Sequence, residues 1–173
     1  MSCDGLPDAY LEARLAGAID ADLHWQATDM QCDGMRRPDG KGLRVAFTGP
    51  VGGTRLTLVV GAPRLAEGES ARAVPVNVTL ILEGGPLYGT QGEDKCVLDE
   101  VRQEPLPAPT PPDKHPARHW RIEARGFCLE PARAVGGGGD AILVSRFDFR
   151  GQIAWEFDLP VPTAQPPEEP SPR

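Results

Sequence analysis

The chain has 173 residues, of which 40% are hydrophobic, a size and composition at which one domain with its own core is the default. It carries 20 glycines and 19 prolines but only 6% aromatic residues, a balance that favours short strands joined by turns. The formal charge of −7 argues against nucleic acid as a partner, and no apolar run approaches the ~20 residues of a transmembrane helix.

The N-terminal part of the chain predicts a short helix followed by a strand. In residues 7–15, PDAYLEARL, Asp8 is a candidate N-cap and the apolar residues form a partial helical stripe. From Ile19 to Trp25 apolar residues recur at every second position, which is typical of a half-buried strand. Residues 30–42, MQCDGMRRPDGKG, hold two Asp-Gly pairs and a proline, and we expect a surface loop there.

The middle of the chain alternates apolar and polar residues in several short segments. Residues 43–60 predict a hairpin, and residues 74–82 give the clearest alternation in the sequence. The stretch of residues 103–118, QEPLPAPTPPDKHPAR, is too rich in proline for a helix or a central strand and predicts a long loop. Alternation returns in residues 119–128, where Cys128 shares the apolar face.

Four consecutive glycines, residues 136–139, precede the apolar run AILVSRFDF. A phosphate-binding loop needs a helix after its glycines and favours a following Lys, whereas here Asp140 begins a strand pattern. We therefore interpret the glycines as the approach to a terminal hairpin. Its apolar faces coincide when Phe149 lies opposite Ile153 and Phe147 opposite Trp155, with a turn over residues 150–152.

These segments together predict an all-β fold. Their number and spacing indicate an antiparallel β-sandwich, or a partly open barrel, of about seven or eight strands with a short N-terminal helix. We expect one domain over residues 1–159 and a disordered, proline-rich tail over residues 160–173.

Four cysteines bear on the compartment. Cys3, Cys32, Cys96 and Cys128 are even in number, widely spaced and free of any C-x-x-C pair, which favours two disulfides over a zinc or redox motif. Three connectivities are open, and chain order suggests Cys3 with Cys32 and Cys96 with Cys128. The alternatives are buried free thiols in a cytosolic protein, and a lipid anchor attached at Cys3, which would leave an odd number of thiols.

Two groups of polar residues are candidate sites. Asp20, Asp22 and His24 share one strand face and offer oxygen and imidazole ligands for a metal ion or for hydrolysis. Same-side neighbours on a strand stand about 7 Å apart, so such a site needs ligands from a second strand. A second stripe could meet an acidic partner, although a solvated strand face explains both groups; its members are His119, Arg121, Glu123 and Arg125.

We identify neither a catalytic constellation nor a cofactor motif, so the sequence favours an exported, non-enzymatic binding module, periplasmic or secreted. Its expected partner is another protein or a cell-envelope surface. Two alternatives remain open. One is a metal-dependent or hydrolytic enzyme that uses the Asp20, Asp22 and His24 face, and the other is a structural subunit of a cell-envelope assembly, which an exposed apolar patch would favour.

Overall fold

The computed structural model describes Cys3, residues 5–111 and residues 116–156, which form eleven β-strands and no helix. The strands are β1 (Tyr10–Gly17), β2 (Ala21–Gln26), β3 (Gln31–Arg36), β4 (Leu43–Val51), β5 (Thr54–Ala62), β6 (Ala71–Leu82), β7 (Leu87–Gly89), β8 (Cys96–Leu106), β9 (Ala117–Cys128), β10 (Ala132–Ala134) and β11 (Ala141–Glu156). The all-β prediction is confirmed, and the expected seven or eight strands were too few. Within the described ranges, no helix has the length and apolar character required to cross a membrane. The predicted tail, residues 160–173, lies outside these ranges.

Hydrogen-bonded pairing links seven of the strands in a circuit. The order runs β3, β4, β5, β6, β8, β9 and β11, and it returns from β11 to β3. Every pairing is antiparallel except the return, in which Ala154 pairs with Met35 in parallel. Strands β1 and β2 extend from one side of β11, while β7 and β10 connect β6 to the other side.

The predicted N-terminal helix is wrong, because residues 10–17 form strand β1. Its buried residues are Leu11, Ala13 and Leu15, which recur with the period of two that a strand requires. The strand pairs with β2 on one side and with β11 on the other. Tertiary pairing therefore overrides the partial helical stripe that the sequence shows.

Two predicted loops also contain strand. Residues 31–36 form β3, which pairs with β4 along its whole length despite the turn-forming residues around it. Strand β8 continues through Pro105 to Leu106, opposite Trp120 and His119 of β9. The proline-rich connection is thus shorter than expected and begins at Pro107, and its residues 112–115 lie outside the described ranges.

The predicted terminal hairpin is also wrong, since residues 141–156 form the single long strand β11. The proposed turn at residues 150–152 is extended backbone that pairs with β9. Gly151 is present for packing: a Cβ there would stand 3.1 Å from the ring of Phe47. An irregularity at Ser145, between the pairs Arg14–Arg146 and Leu15–Val144, moves the inward face from even to odd positions.

The four glycines form the turn between β10 and β11. All four have positive φ, from 66° to 112°, and a Cβ on any of them would meet nothing within 4 Å. Backbone conformation, rather than packing, therefore accounts for glycine at these positions.

The core is one buried cluster to which ten of the eleven strands contribute, and the partly buried Cys32 of β3 packs against it. Its largest fully buried side chains include Phe47, Phe147 and Phe149. The side chains that face away from this core differ in charge from one group of strands to another, and they form the candidate sites.

Candidate functional site

Two disulfides fasten parts of the fold that are distant in sequence. Cys3 is bonded to Cys32, which fastens the segment before β1 to β3, and Cys96 is bonded to Cys128, directly opposite it in the β8–β9 ladder. The pairing is the one that chain order suggested, and no described cysteine is free. Because the sulfur of Cys3 is held in this bond, it is not available for a lipid.

The predicted metal-ligating residues face solvent on and beside β2. Asp20 precedes the strand, and its carboxylate accepts a hydrogen bond from the backbone N–H of Gly17 at 3.4 Å. Asp22 forms an ion pair with Arg14 at 3.3 Å, and His24 Nδ1 lies 3.9 Å from a carboxylate oxygen of Glu12. The neighbouring strand β1 thus supplies an arginine beside Asp22 and a single glutamate beside His24.

No group of three or more metal-ligating side chains converges anywhere in residues 3, 5–111 and 116–156. The metal interpretation of Asp20, Asp22 and His24 accordingly stays a prediction from the sequence alone.

Three members of the predicted interaction stripe lie together on the outer face of β9, and each is engaged in ion pairs. Arg121 bonds to Glu104 at 2.7 Å, and Arg125 bonds to Glu100 at 2.8 Å, both across the β8–β9 ladder. Glu123 accepts a hydrogen bond from Arg150 on β11.

The ion pairs extend further around this face. Arg150 also bonds to Asp8 at 2.8 Å, and its guanidinium lies 5.4 Å from the centre of the Tyr10 ring. The hydrogen bond from Arg121 holds the pKa of Glu104 below its usual range. We call this set the ion-paired face; its members are Asp8, Tyr10, Glu100, Glu104, Arg121, Glu123, Arg125 and Arg150.

His119, the fourth member of the stripe, was wrongly expected to be exposed. Only 7% of its surface is accessible, and the Gln152 amide donates a 2.9 Å hydrogen bond to its Nδ1. It lies at a cavity of about 510 Å³ between the N-terminal segment and the ends of β3, β9 and β11, which Leu6 and Met35 also line. The N-terminal segment, which the Cys3–Cys32 bond fastens to β3, lines the same cavity as His119. Alternation along one strand does not indicate such a long-range contact.

A second surface that the sequence did not indicate also faces away from the core, on strands β4 to β7. Two rows of residues cross β4, β5, β6 and β7, aligned by direct pairing in the ladders, and all of them are at least partly exposed except Ala46, which is buried. The first row is Thr48, Thr57, Ile81 and Leu87, and the second is Ala46, Val59, Thr79 and Gly89. We call these eight residues the uncharged face.

Large apolar side chains are exposed on and beside the uncharged face. Ile81 is 40% exposed, Leu87 39%, and Val135 54%, while buried core residues typically fall below a tenth. Val135 follows β10, and its backbone N–H bonds to the carbonyl of Leu87, so the three residues are close neighbours. Contiguous exposed apolar surface of this kind marks interaction sites more often than solvent-facing sheet.

Charged residues of both signs border the uncharged face, and they include the exposed Arg133 of β10, which pairs with Gly89 at the end of the second row. Arg44 bonds to Asp33 at 3.4 Å on the β3 side. Arg55 precedes the first row, and its backbone carbonyl accepts a hydrogen bond from the N–H of Glu83. The face therefore has little net charge of its own, in contrast to the chain as a whole.

Comparison of the chain with protein-family models, with curated proteins and with solved structures gives no match.

Proposed function

We propose that the protein is an exported, non-enzymatic binding module, a β-sandwich or partly open barrel that binds another protein through the uncharged face. The observation that carries this proposal is the alignment of eight uncharged residues in two rows, with Ile81 and Leu87 exposed at one end. Protein interfaces are depleted of charge at their centres, and this face has that composition.

The pairing circuit supports the partly open barrel of this proposal. Six of its links are antiparallel ladders, and the seventh, between β11 and β3, rests on a single pair of residues. A circuit with one weak link is what a barrel that opens at one seam would have.

Export is supported by the two disulfides. Disulfides persist in periplasmic and extracellular proteins and are rare in the reducing cytosol. The test is the intact mass of the protein from its native source, with alkylation before and after reduction. Two disulfides and no alkylation before reduction would support export, whereas four thiols that alkylate freely would contradict it.

The proposal that the protein binds without catalysis draws on the ion-paired face. Its arginines and carboxylates already bond to one another across the strands, at distances such as 2.7 Å for Arg121 and Glu104. Likewise, Asp22 is engaged by Arg14, so the β2 face lends the hydrolytic alternative no added support.

The test of the binding surface uses a photoreactive benzoylphenylalanine at Leu87, with the same residue at Gln26 on β2 as the matched exposed control. We expect the Leu87 position to capture a discrete protein in the extracytoplasmic fraction, and the Gln26 position to capture none. The purified partner should then bind the Ile81→Glu variant more weakly than the unmodified chain. Equal capture from both positions would contradict the proposal.

A structural subunit of a cell-envelope assembly is the second candidate. The exposed apolar cluster of Ile81, Leu87 and Val135 favours it over a module that works alone, because a subunit buries such a surface permanently. Both candidates place the contact at the same face.

A further inference from the structure

We infer that the partner at the uncharged face is a second copy of this chain, packed through the same face about a two-fold axis. The inference rests on the proposed function, which makes this face the contact surface. Two properties of the face support it, its charge and its self-complementary chemistry, and its size sets the expected strength of the contact.

Charge limits where two copies can meet. Each molecule carries a formal charge of −7, so most approaches of two copies bring like charges together. The two rows from β4 to β7 contain no charged residue, and the second row ends between residues of opposite charge, Asp33 opposite Ala46 and Arg133 opposite Gly89. Two copies can therefore approach here without direct carboxylate repulsion. By contrast, contact through the ion-paired face would require desolvation of its charges, which is costly.

A two-fold contact requires a surface that complements itself. Threonine hydroxyls both donate and accept hydrogen bonds, and the face presents three of them at Thr48, Thr57 and Thr79. The hydroxyl oxygens of Thr48 and Thr57 lie 2.8 Å apart, at hydrogen-bonding distance. Their mutual hydrogen bond leaves one hydroxyl hydrogen and further lone pairs for a partner. Apolar side chains such as Ile81 and Leu87 complement their own copies without any directional requirement.

The size of the face indicates a weak dimer. Neighbouring strands lie about 4.8 Å apart, and residues rise by about 3.4 Å along each strand, so the rows and their borders cover a patch about 20 Å on a side. Its area of roughly 400 Å² is about half of the 800 Å² that a specific interface of standard size buries on each partner. We therefore expect association that depends on protein concentration, and not a permanent dimer.

The experiment is sedimentation velocity of the full chain over a series of concentrations from low to high micromolar. The variants Ile81→Glu and Leu87→Glu place two like charges across the two-fold contact, while Gln26→Glu adds the same charge on β2. Near-UV circular dichroism checks that each variant is folded, and Ile81→Thr serves as a second variant that removes apolar area without a charge.

We expect the unmodified chain and Gln26→Glu to dimerise alike, and each glutamate variant to raise the dimer dissociation constant roughly tenfold or more. A chain that is monomeric at every concentration would overturn the inference. A dimer dissociation constant that stays the same in the Ile81→Glu and Leu87→Glu variants, once both are shown to be folded, would overturn it too. Neither result bears on the capture of a different protein from Leu87. The failure of the dimer is thus distinguishable from the failure of the proposed binding function.

Discussion

Phe47 of β4 and Phe149 of β11 meet inside the sheet with ring centroids 5.3 Å apart and ring planes inclined by 51°. Both side chains are almost completely buried, and the two strands do not pair with each other. The contact thus joins two parts of the circuit through its interior. Offset and tilted aromatic pairs stabilise a core beyond the area that they bury.

Substitution of this pair should destabilise the protein strongly. We expect Phe149→Ala to lower the free energy of unfolding by about 3 to 5 kcal/mol, because it removes a fully buried ring and leaves a cavity against Phe47. Phe149→Leu, which keeps most of the volume, should cost clearly less. Urea denaturation measures both. Equal losses for the two variants would contradict this expectation, because they would mean that the volume kept by leucine restores no stability.

The long strand β11 shows why part of the fold could not be read from the sequence. Phe147, Phe149, Ile153 and Trp155 occupy alternate positions, and a continuous strand places them on one face as well as a hairpin does. Only Gly151 distinguishes the two interpretations, and glycine is typical of a turn as well as of a close approach between side chains and backbone. Its packing against Phe47 depends on a strand distant in sequence, which alternation does not reveal.

The seam between β3 and β11 depends on a close approach of two backbones at Gly34. A Cβ at this position would stand 2.0 Å from the carbonyl oxygen of Gln152, and a backbone atom cannot move aside cheaply. We expect Gly34→Ala to lower the free energy of unfolding by about 1 to 3 kcal/mol. The matched control is Gly53→Ala, where a Cβ meets nothing within 4 Å and the change should be within about 0.5 kcal/mol. Similar losses in the two variants would contradict this account of the seam.

The bond between Cys96 and Cys128 should stabilise the fold by lowering the conformational entropy of the unfolded chain. It closes a loop with a sequence separation of 32 residues, for which the chain-entropy relation gives about 3 to 4 kcal/mol. We expect a Cys96→Ala, Cys128→Ala double variant to lose about that amount in urea denaturation. The unmodified protein should lose stability when a reductant is added, and the double variant should lose less. A reductant effect of equal size in both would assign it to the Cys3–Cys32 bond.

The sequence predicted which residues of a strand face outward better than it predicted which residues of different strands lie side by side. The alternation over residues 74–82 correctly assigned Val76, Val78 and Leu80 to the core, and so placed Thr79 outside. The two rows of the uncharged face nevertheless arise only when Thr79 is aligned with Val59 and Ala46 by the register of three strands. Register depends on long-range pairing, and the sequence left it open.

Glu67 connects the loop between β5 and β6 to β9 and should make stability depend on pH. Arg118 Nη2 donates to one oxygen of its carboxylate at 2.7 Å, and Trp120 Nε1 donates to the other at 3.0 Å. These hydrogen bonds, chiefly that from Arg118, hold the pKa of Glu67 below its ordinary value although partial burial opposes them. The folded state therefore takes up a proton at lower pH than the unfolded state does.

This difference fixes the direction of the pH effect. The stabilisation from Glu67 is fully present above the pKa of an unfolded glutamate, about 4.3, and is lost as the pH falls through the lower pKa of the folded state. We expect Glu67→Gln to reduce the free energy of unfolding at pH 7, and the gap between variant and unmodified protein to narrow below about pH 4. Glu130→Gln, at an exposed position after β9, is the control and should leave the pH profile unchanged. A gap that stays constant from neutral to acidic pH would show that the carboxylate's charge is not what stabilises this loop, and that the contact acts through its shape and neutral hydrogen bonds.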